Sequence, residues 1–192
     1  MCGIVGYIGP QKAVPIIVDG LKRLEYRGYD SAGLAVISGG EINIRRDVGK
    51  LHNLISLYNS DPVSGSIGIG HTRWATHGKP EERNAHPHLD GERKLAVVQN
   101  GIIENHRSLR EELQAEGVVF RSDTDTEVIP HLVARELKLL RQANHPADGP
   151  LLLRAVQQVL PRLHGAYALA VVWAEAPGAL VVARRQAPLL IG

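Results

Sequence analysis

The order of apolar segments constrains the fold of this chain more than any other feature of its sequence. Short strand-like segments joined largely by glycine-bearing turns come first, at 3–8, 34–37, 42–46, 67–70 and 95–98. Segments whose apolar residues have helical spacing follow at 107–116, 125–140 and 150–163. Strand-like segments return at 166–173 and 179–183. Strands joined by turns favour antiparallel pairing, so the order predicts an α+β domain with antiparallel sheets covered by helices.

Composition narrows the possible partners and surroundings of the chain. Its 192 residues suit one domain, and the 22 basic and 20 acidic residues are mixed along it. Neither a nucleic acid nor a membrane is therefore predicted as a partner. The single cysteine cannot form an internal disulfide, which favours the reducing cytoplasm. No apolar run approaches the roughly 18 residues that a membrane span needs.

That single cysteine stands at position 2, directly before the first apolar segment. If Met1 is removed, Cys2 carries a thiol and a free α-amino group on one residue. An α-amine with a pKa of about 7.7–8.0 can accept the thiol proton near neutral pH. Nucleophile and base would then be one residue, as in N-terminal-nucleophile catalysis. The alternative is that Cys2 is a small buried apolar residue.

A second polar segment, 71–78, follows the strand-like segment 67–70. Arg73 offers a planar fork that matches a carboxylate, and Thr76 and His77 add hydrogen-bonding groups at the same edge. These residues predict a site for an α-carboxylate. The structural alternative makes Arg73 a surface ion pair and Trp74 a core residue.

Histidines in this region raise the alternative of a zinc site. They fall within 18 residues, at His71, His77, His86 and His88. Imidazole is a common zinc ligand, but no cysteine pair or compact histidine–carboxylate spacing completes a tetrahedral set. We therefore predict no metal.

Further segments predict local structure. Asn100-Gly101, between 95–98 and 102–103, is typical of a β-hairpin turn. The polar run 122–127 predicts an N-cap for the following helix, with one carboxylate free to face a substrate ammonium group. The segment 75–94 predicts a long loop of the kind that often forms a lid, and 188–191 predicts an interrupted strand. The glycines at 65–70 do not match the dinucleotide-binding spacing.

Several segments together resemble the class II glutamine amidotransferases. They occur in order at 1–6, 27–33, 71–78, 100–101 and 124–127. Segments 24–30 and 100–105 resemble the branch that aminates fructose 6-phosphate rather than the purine-pathway branch. The resemblance implies an N-terminal-nucleophile hydrolase fold, a four-layer αββα sandwich with two antiparallel sheets between helical layers. It also implies L-glutamine as substrate and no cofactor.

The resemblance assigns roles to individual residues. Cys2 would attack the side-chain amide of glutamine, forming a thioester and releasing ammonia, while Asn100 and Gly101 stabilise the oxyanion. Trp74 would lie on a loop that closes over the site. The remaining substrate-binding roles fall on Arg73, Thr76 and His77 for the α-carboxylate and on Asp125 for the α-ammonium group. Supporting roles fall on Arg27 and His86.

The resemblance also implies a domain organisation. Residues 1–192 would form one glutaminase domain that ends before the family's domain normally does, without the downstream sugar-phosphate isomerase and synthase domains. Fructose 6-phosphate would bind only to those domains, in a full-length homodimer. The alternatives are the glutaminase domain of another class II amidotransferase and a non-catalytic binding module of the same fold. Gln99 stands where histidine is more usual before Asn-Gly.

Overall fold

Two four-stranded antiparallel sheets face each other in the computed structural model, which describes residues 2–192. The first sheet has the order β1 (Gly3–Ile8), β4 (Ile67–Arg73), β2 (Ser31–Ser38) and β3 (Glu41–Val48). The second has the order β5 (His88–Leu89), β6 (Leu95–Gly101), β7 (Tyr167–Trp173) and β8 (Leu180–Arg185). The prediction about removal of Met1 lies outside the described residues.

Helices cover the outer face of each sheet. The first sheet carries α1 (Ala13–Leu24) and α2 (Leu51–Ser60), and the second carries α3 (His106–Ala115), α4 (Val128–Gln142) and α5 (Gly149–Val159). Short 3₁₀ turns lie at Glu25–Arg27, Glu82–Asn84 and Leu160–Arg162. The predicted four-layer αββα sandwich is confirmed. No helix within residues 2–192 is long and apolar enough to cross a membrane.

Apolar side chains that point alternately to the two faces of each strand fill the three cores between these layers. On β2, Leu34 packs toward α1 and α2, whereas Ala35 packs toward the second sheet. On β6, Val97 packs toward the helices of the second sheet and Val98 toward the first sheet. Successive strand side chains point to opposite faces, so Asn100 continues the row that faces the first sheet.

The predicted hairpin at Asn100-Gly101 is wrong. Strand β6 runs through both residues, and its register against β7 places Gly101 opposite Tyr167. Gly101 has a φ of 102°, and a Cβ there would overlap the carbonyl oxygen of Ala166. The local Asn-Gly signal therefore marks a close backbone approach at a strand end, because tertiary pairing with β7 overrides the turn.

Two other local predictions are also wrong. The run 188–191 forms no strand, and Leu190 is 96% exposed. Helix α4 begins at Val128 without a side-chain N-cap. The Glu127 carboxylate instead accepts hydrogen bonds from the backbone N–H groups of Arg121 at 2.8 Å and Ser122 at 2.6 Å. These two hydrogen bonds satisfy backbone donors of the preceding loop.

Candidate active site

Pairing of β1 with β4 determines the position of Cys2. Gly3 lies opposite Thr72, so the preceding residue lies beside the end of β4. The backbone N–H of Trp74 donates to Cys2 Sγ at 3.2 Å. Burial raises the pKa of the Cys2 thiol above its ordinary value, against the opposing effects of the Trp74 hydrogen bond and the Arg73 charge. The thiol is thus held in place at the strand end.

Asn100 reaches the same point from the second sheet. Its Oδ1 lies 2.8 Å from His71 Nε2, and its Nδ2 donates to the carbonyl oxygen of Cys2 at 3.4 Å. Reversing the amide would bring two acceptors together at Cys2, so this orientation is the one the contacts allow. Burial lowers the pKa of His71 to about 4, so the ring is neutral at pH 7 and donates through Nε2.

Arg73 is held by backbone on one side and left open on another. The residue is only 3% exposed. Its Nη2 donates to the carbonyl oxygens of His77 and, at 3.1 Å, of Gly78. Nη1 lies 3.7 Å from Asp30 Oδ1 and has no hydrogen-bond partner among residues 2–192. The buried guanidinium therefore keeps an N–H group available for an anion.

Asp125 provides a carboxylate at the same site. Its Oδ2 accepts a hydrogen bond from the backbone N–H of Ile103 at 2.7 Å. Oδ1 lies 3.8 Å from Nδ1 of His77. The side chain is buried, so it presents a fixed negative charge beside the positive charge of Arg73.

These groups surround a cavity of about 10 Å³. Its lining consists of Cys2, His71, Arg73, Trp74, Thr76, His77, His86, Gln99, Gly101, Asp125 and Thr126. No group of three or more His, Cys, Asp or Glu side chains within residues 2–192 is arranged to hold a metal ion. The His86 ring instead stacks on His71 with centroids 4.2 Å apart and meets His88 edge-on at 4.7 Å.

Comparison with known families identifies this arrangement. The model of the glutamine amidotransferase domain matches residues 71–191, more than half of the chain. The chain belongs to this family. Curated relatives include the glutamine–fructose-6-phosphate aminotransferases (isomerizing) of Thermosynechococcus vestitus, 58% identical, and of a Nostoc species, 61% identical. Both matches cover 100% of this chain and 30% of the relative, so the chain spans less than a third of their length.

Solved structures agree with the amidotransferase fold. The glutamine phosphoribosylpyrophosphate amidotransferase of B. subtilis superposes with a TM-score of 0.72 at 26% identity. The match covers 91% of this chain and 35% of that chain. A second structure, described as the allosteric regulatory enzyme of purine biosynthesis, gives a TM-score of 0.72 at 27% identity and covers 90% and 35% of the two chains.

The amidotransferase structure brings most of the predicted site residues together. Every one of them except Asn100 and Arg27 lines the small cavity, and Asn100 reaches its edge through the side-chain amide. Arg27 lies in the 3₁₀ turn at Glu25–Arg27, where its Nε donates to the Tyr26 hydroxyl at 3.2 Å. These positions fit the predicted roles, which stay predictions for each residue.

Sequence reasoning missed two residues that organise the amidotransferase site. His71 was considered only as a zinc ligand, yet it orients Asn100. Its signal was the strand period, since His71 follows Ile67 and Ile69 on one buried face of β4. Asp30 was missed as well; its carboxylate accepts from the N–H of Ala75 and so fixes the loop after β4.

Gln99 is held by buried hydrogen bonds that connect it to His86 and Thr126. Its backbone N–H donates to His86 Nδ1 at 3.3 Å, so that ring carries its proton on Nε2. His86 Nε2 then donates to Thr126 Oγ1 at 3.4 Å, and Thr126 Oγ1 donates to Gln99 Oε1 at 2.6 Å. The glutamine therefore completes a directed chain of buried hydrogen bonds beneath the site.

Proposed function

We propose that the chain hydrolyses L-glutamine to glutamate and ammonia through a thioester on Cys2. The observation that carries the proposal is the Asn100 side chain. Its amide is oriented by His71 at 2.8 Å with Nδ2 toward Cys2. A donor fixed beside a nucleophile is what an oxyanion hole requires.

The reaction begins with a proton transfer. The pKa of the buried thiol is raised, so the thiol holds its proton near neutral pH and needs a base. After removal of Met1, the α-amine of Cys2 accepts this proton, directly or through a water molecule. Sγ then bonds to the amide carbon of glutamine, and the carbonyl π electrons move onto oxygen.

Asn100 and Gly101 stabilise the resulting oxyanion. The Asn100 Nδ2 and the backbone N–H of Gly101 donate to it, and these hydrogen bonds strengthen as charge develops on oxygen. Collapse of the intermediate breaks the carbon–nitrogen bond, and the protonated amine supplies the proton that lets ammonia leave. Water then attacks the thioester, giving glutamate and the free thiol.

The substrate's α-substituents bind between opposite charges. Arg73 Nη1 receives the α-carboxylate together with Thr76 and His77, while Asp125 receives the α-ammonium group. The cavity of about 10 Å³ holds little more than one water molecule. Glutamine therefore requires outward movement of the segment carrying Trp74, which is 55% exposed. Its return encloses the bound substrate over the nucleophile.

In the whole protein, we assign the released ammonia to the conversion of fructose 6-phosphate to glucosamine 6-phosphate. Identities of 58% and 61% to aminotransferases that act on this sugar phosphate support the assignment over the purine branch, at 26% and 27%. Residues 1–192 form the glutaminase domain, and further domains would bind the sugar. We place the full-length protein in the cytoplasm as a homodimer.

Intact mass spectrometry tests the glutaminase proposal. The purified chain should lack the mass of Met1 and gain one equivalent of 6-diazo-5-oxo-L-norleucine, an electrophilic glutamine analogue. The chain should also release glutamate from glutamine, and the analogue should abolish that activity. Unmodified Cys2 after treatment, with Met1 absent and the protein folded, would reject the nucleophile.

A further inference from the structure

A large second cavity lies away from the glutaminase site. Its volume is about 980 Å³, and it shares no lining residue with the cavity at Cys2. Strand β5, the β5–β6 turn, the loop between α3 and α4, and α4 itself form its walls. This volume falls within the 300–1,000 Å³ or so that is typical of small-molecule sites.

The apolar part of the lining is largely a continuation of the core. Leu95, Leu113, Leu137 and Trp173 each lie within the core beneath the second sheet and its helices, and all four reach the cavity. Val119 stands at 77% exposure in the same lining. Because the four core residues are at most 5% exposed, the apolar surface that a ligand can cover is chiefly that of Val119.

Most carboxylates of the lining are already satisfied. Glu116 pairs with Arg135, and Glu175 pairs with Lys94 and Arg141. Asp90 accepts backbone N–H groups of its own turn, as Glu127 does from Arg121 and Ser122. Glu92 is the one lining carboxylate with neither kind of partner among residues 2–192.

The lining contains more Arg and Lys side chains than these carboxylates pair with. Within residues 2–192, no ion pair is formed by Arg46, Arg93, Arg121 or Lys138. They come from four different parts of the wall: strand β3, the β5–β6 turn, the loop before α4, and α4. The cavity therefore has an excess of unpaired positive charge.

Arg46 gives the strongest indication of an anionic ligand. Its Nη1 donates to the carbonyl oxygens of Ala85 and Pro87, both at 3.2 Å, which fixes the guanidinium without neutralising it. Burial lowers the pKa of Arg46, more than the nearby charges of Glu82 and Glu127 raise it. A partly buried, immobilised cation that forms no ion pair within residues 2–192 is stabilised further by an anion that reaches it.

We infer that this cavity binds a phosphorylated small molecule with an aromatic or apolar body, the class to which nucleoside phosphates belong. The phosphate groups lie against Arg46, Arg121 and Lys138. The body lies on the exposed apolar surface at Val119. This site is independent of glutamine hydrolysis, because its lining contains none of the residues assigned to that reaction.

Isothermal titration calorimetry on the purified chain tests the site with three probes. ADP carries both an aromatic body and an anion, adenosine has only the body, and pyrophosphate has only the anion. We expect ADP to bind more tightly than pyrophosphate, and adenosine not to bind measurably. Arg121→Gln and Lys138→Gln should each weaken ADP about tenfold, the effect of a lost hydrogen bond between charged groups. Added sodium chloride should weaken ADP further.

The matched control is Arg107→Gln, an equal change of charge at an exposed position of α3 outside the cavity. It should leave ADP affinity unchanged, and Arg46→Gln should abolish binding if circular dichroism shows a folded chain. Absence of ADP binding would overturn the inference, as would equal weakening by Arg107→Gln and Arg121→Gln. Sedimentation showing a dimer that Arg121→Gln dissociates would assign the cavity to a second copy instead.

Discussion

The two halves of the candidate active site differ in how the fold holds them. Cys2, His71, Asn100 and Gly101 lie on or directly beside strands, and the buried His71 links the two sheets through Asn100. Trp74, Thr76 and His77 lie on an irregular segment after β4, where Trp74 and Thr76 are exposed. The half assigned to bond making is held by strands and a buried hydrogen bond, whereas much of the half assigned to substrate binding lies on exposed, irregular backbone.

This difference suits the two demands of the proposed reaction. Stabilising a transition state requires donors fixed before charge develops, which strands and buried hydrogen bonds provide. Admitting and enclosing glutamine requires a segment that moves, and exposed backbone with few buried contacts opens at low cost. Substitutions in the strand half should thus lower kcat, and those that contact the substrate from the other half should raise KM.

The largest effect is expected for Cys2→Ala. Loss of a covalent nucleophile lowers kcat by roughly 10⁴–10⁶ in enzymes of comparable chemistry. Folding should be retained, because Cys2 is only partly buried and the pairing of β1 with β4 begins at Gly3. Glutamate release and circular dichroism measure the two properties. Normal turnover by this variant would place the reaction elsewhere in the molecule.

Asn100→Ala should have the next largest effect, confined to kcat. Loss of one oxyanion donor costs about 10²–10³ in kcat, or about 2.7–4 kcal/mol, with little change in KM. Asn100→Asp is the sharper variant, because it keeps an acceptor for His71 but places a negative charge where a donor is needed. A folded and fully active Asn100→Asp protein would remove Asn100 from the mechanism.

Arg73→Lys should raise KM for glutamine about tenfold, since lysine cannot make the two parallel hydrogen bonds of a guanidinium. The value of kcat should change little, because the α-carboxylate is remote from the reacting amide. Steady-state kinetics over a range of glutamine concentrations separate the two constants. Arg154→Lys, the same change at an exposed position of α5 outside the cavity lining, is the matched control. A lower kcat at constant KM would mean that Arg73, which ends strand β4, acts in bond making rather than in binding the α-carboxylate.

Sequence patterns predicted the layers of the fold because strand and helix periods are local properties. Strand β1, predicted at 3–8, and helix α3, predicted at 107–116, were placed correctly from such periods. The resemblance supplied the cluster around Cys2, which no local pattern would assemble. Patterns failed at Asn100-Gly101 and Glu127, where partners distant in sequence or loop donors determine the geometry. His71 could have been found from alternation on β4, but its partner Asn100 could not.

The smallest expected effect is on the pH dependence of the free energy of unfolding, to which the buried His88 contributes. Burial lowers the pKa of His88 from 6.5 to about 3, and its Nε2 lies 3.0 Å from Thr124 Oγ1. The unfolded chain therefore binds a proton at this residue below pH 6.5 that the folded chain does not. Its contribution to the free energy of unfolding is complete above that pH and is lost as the pH falls toward 3. Between pH 7 and 5.5 the loss amounts to about 1 kcal/mol.

His88→Gln, which can still hydrogen-bond Thr124, should remove this part of the pH dependence in urea unfolding. His52→Gln, at an exposed position of α2, should not. An unchanged slope for His88→Gln would mean that the His88 ring takes up its proton in the folded chain. The histidines that pack beneath the strand half, His88 edge-on to His86 and His86 stacked on His71, would then be more open to solvent than their packing indicates.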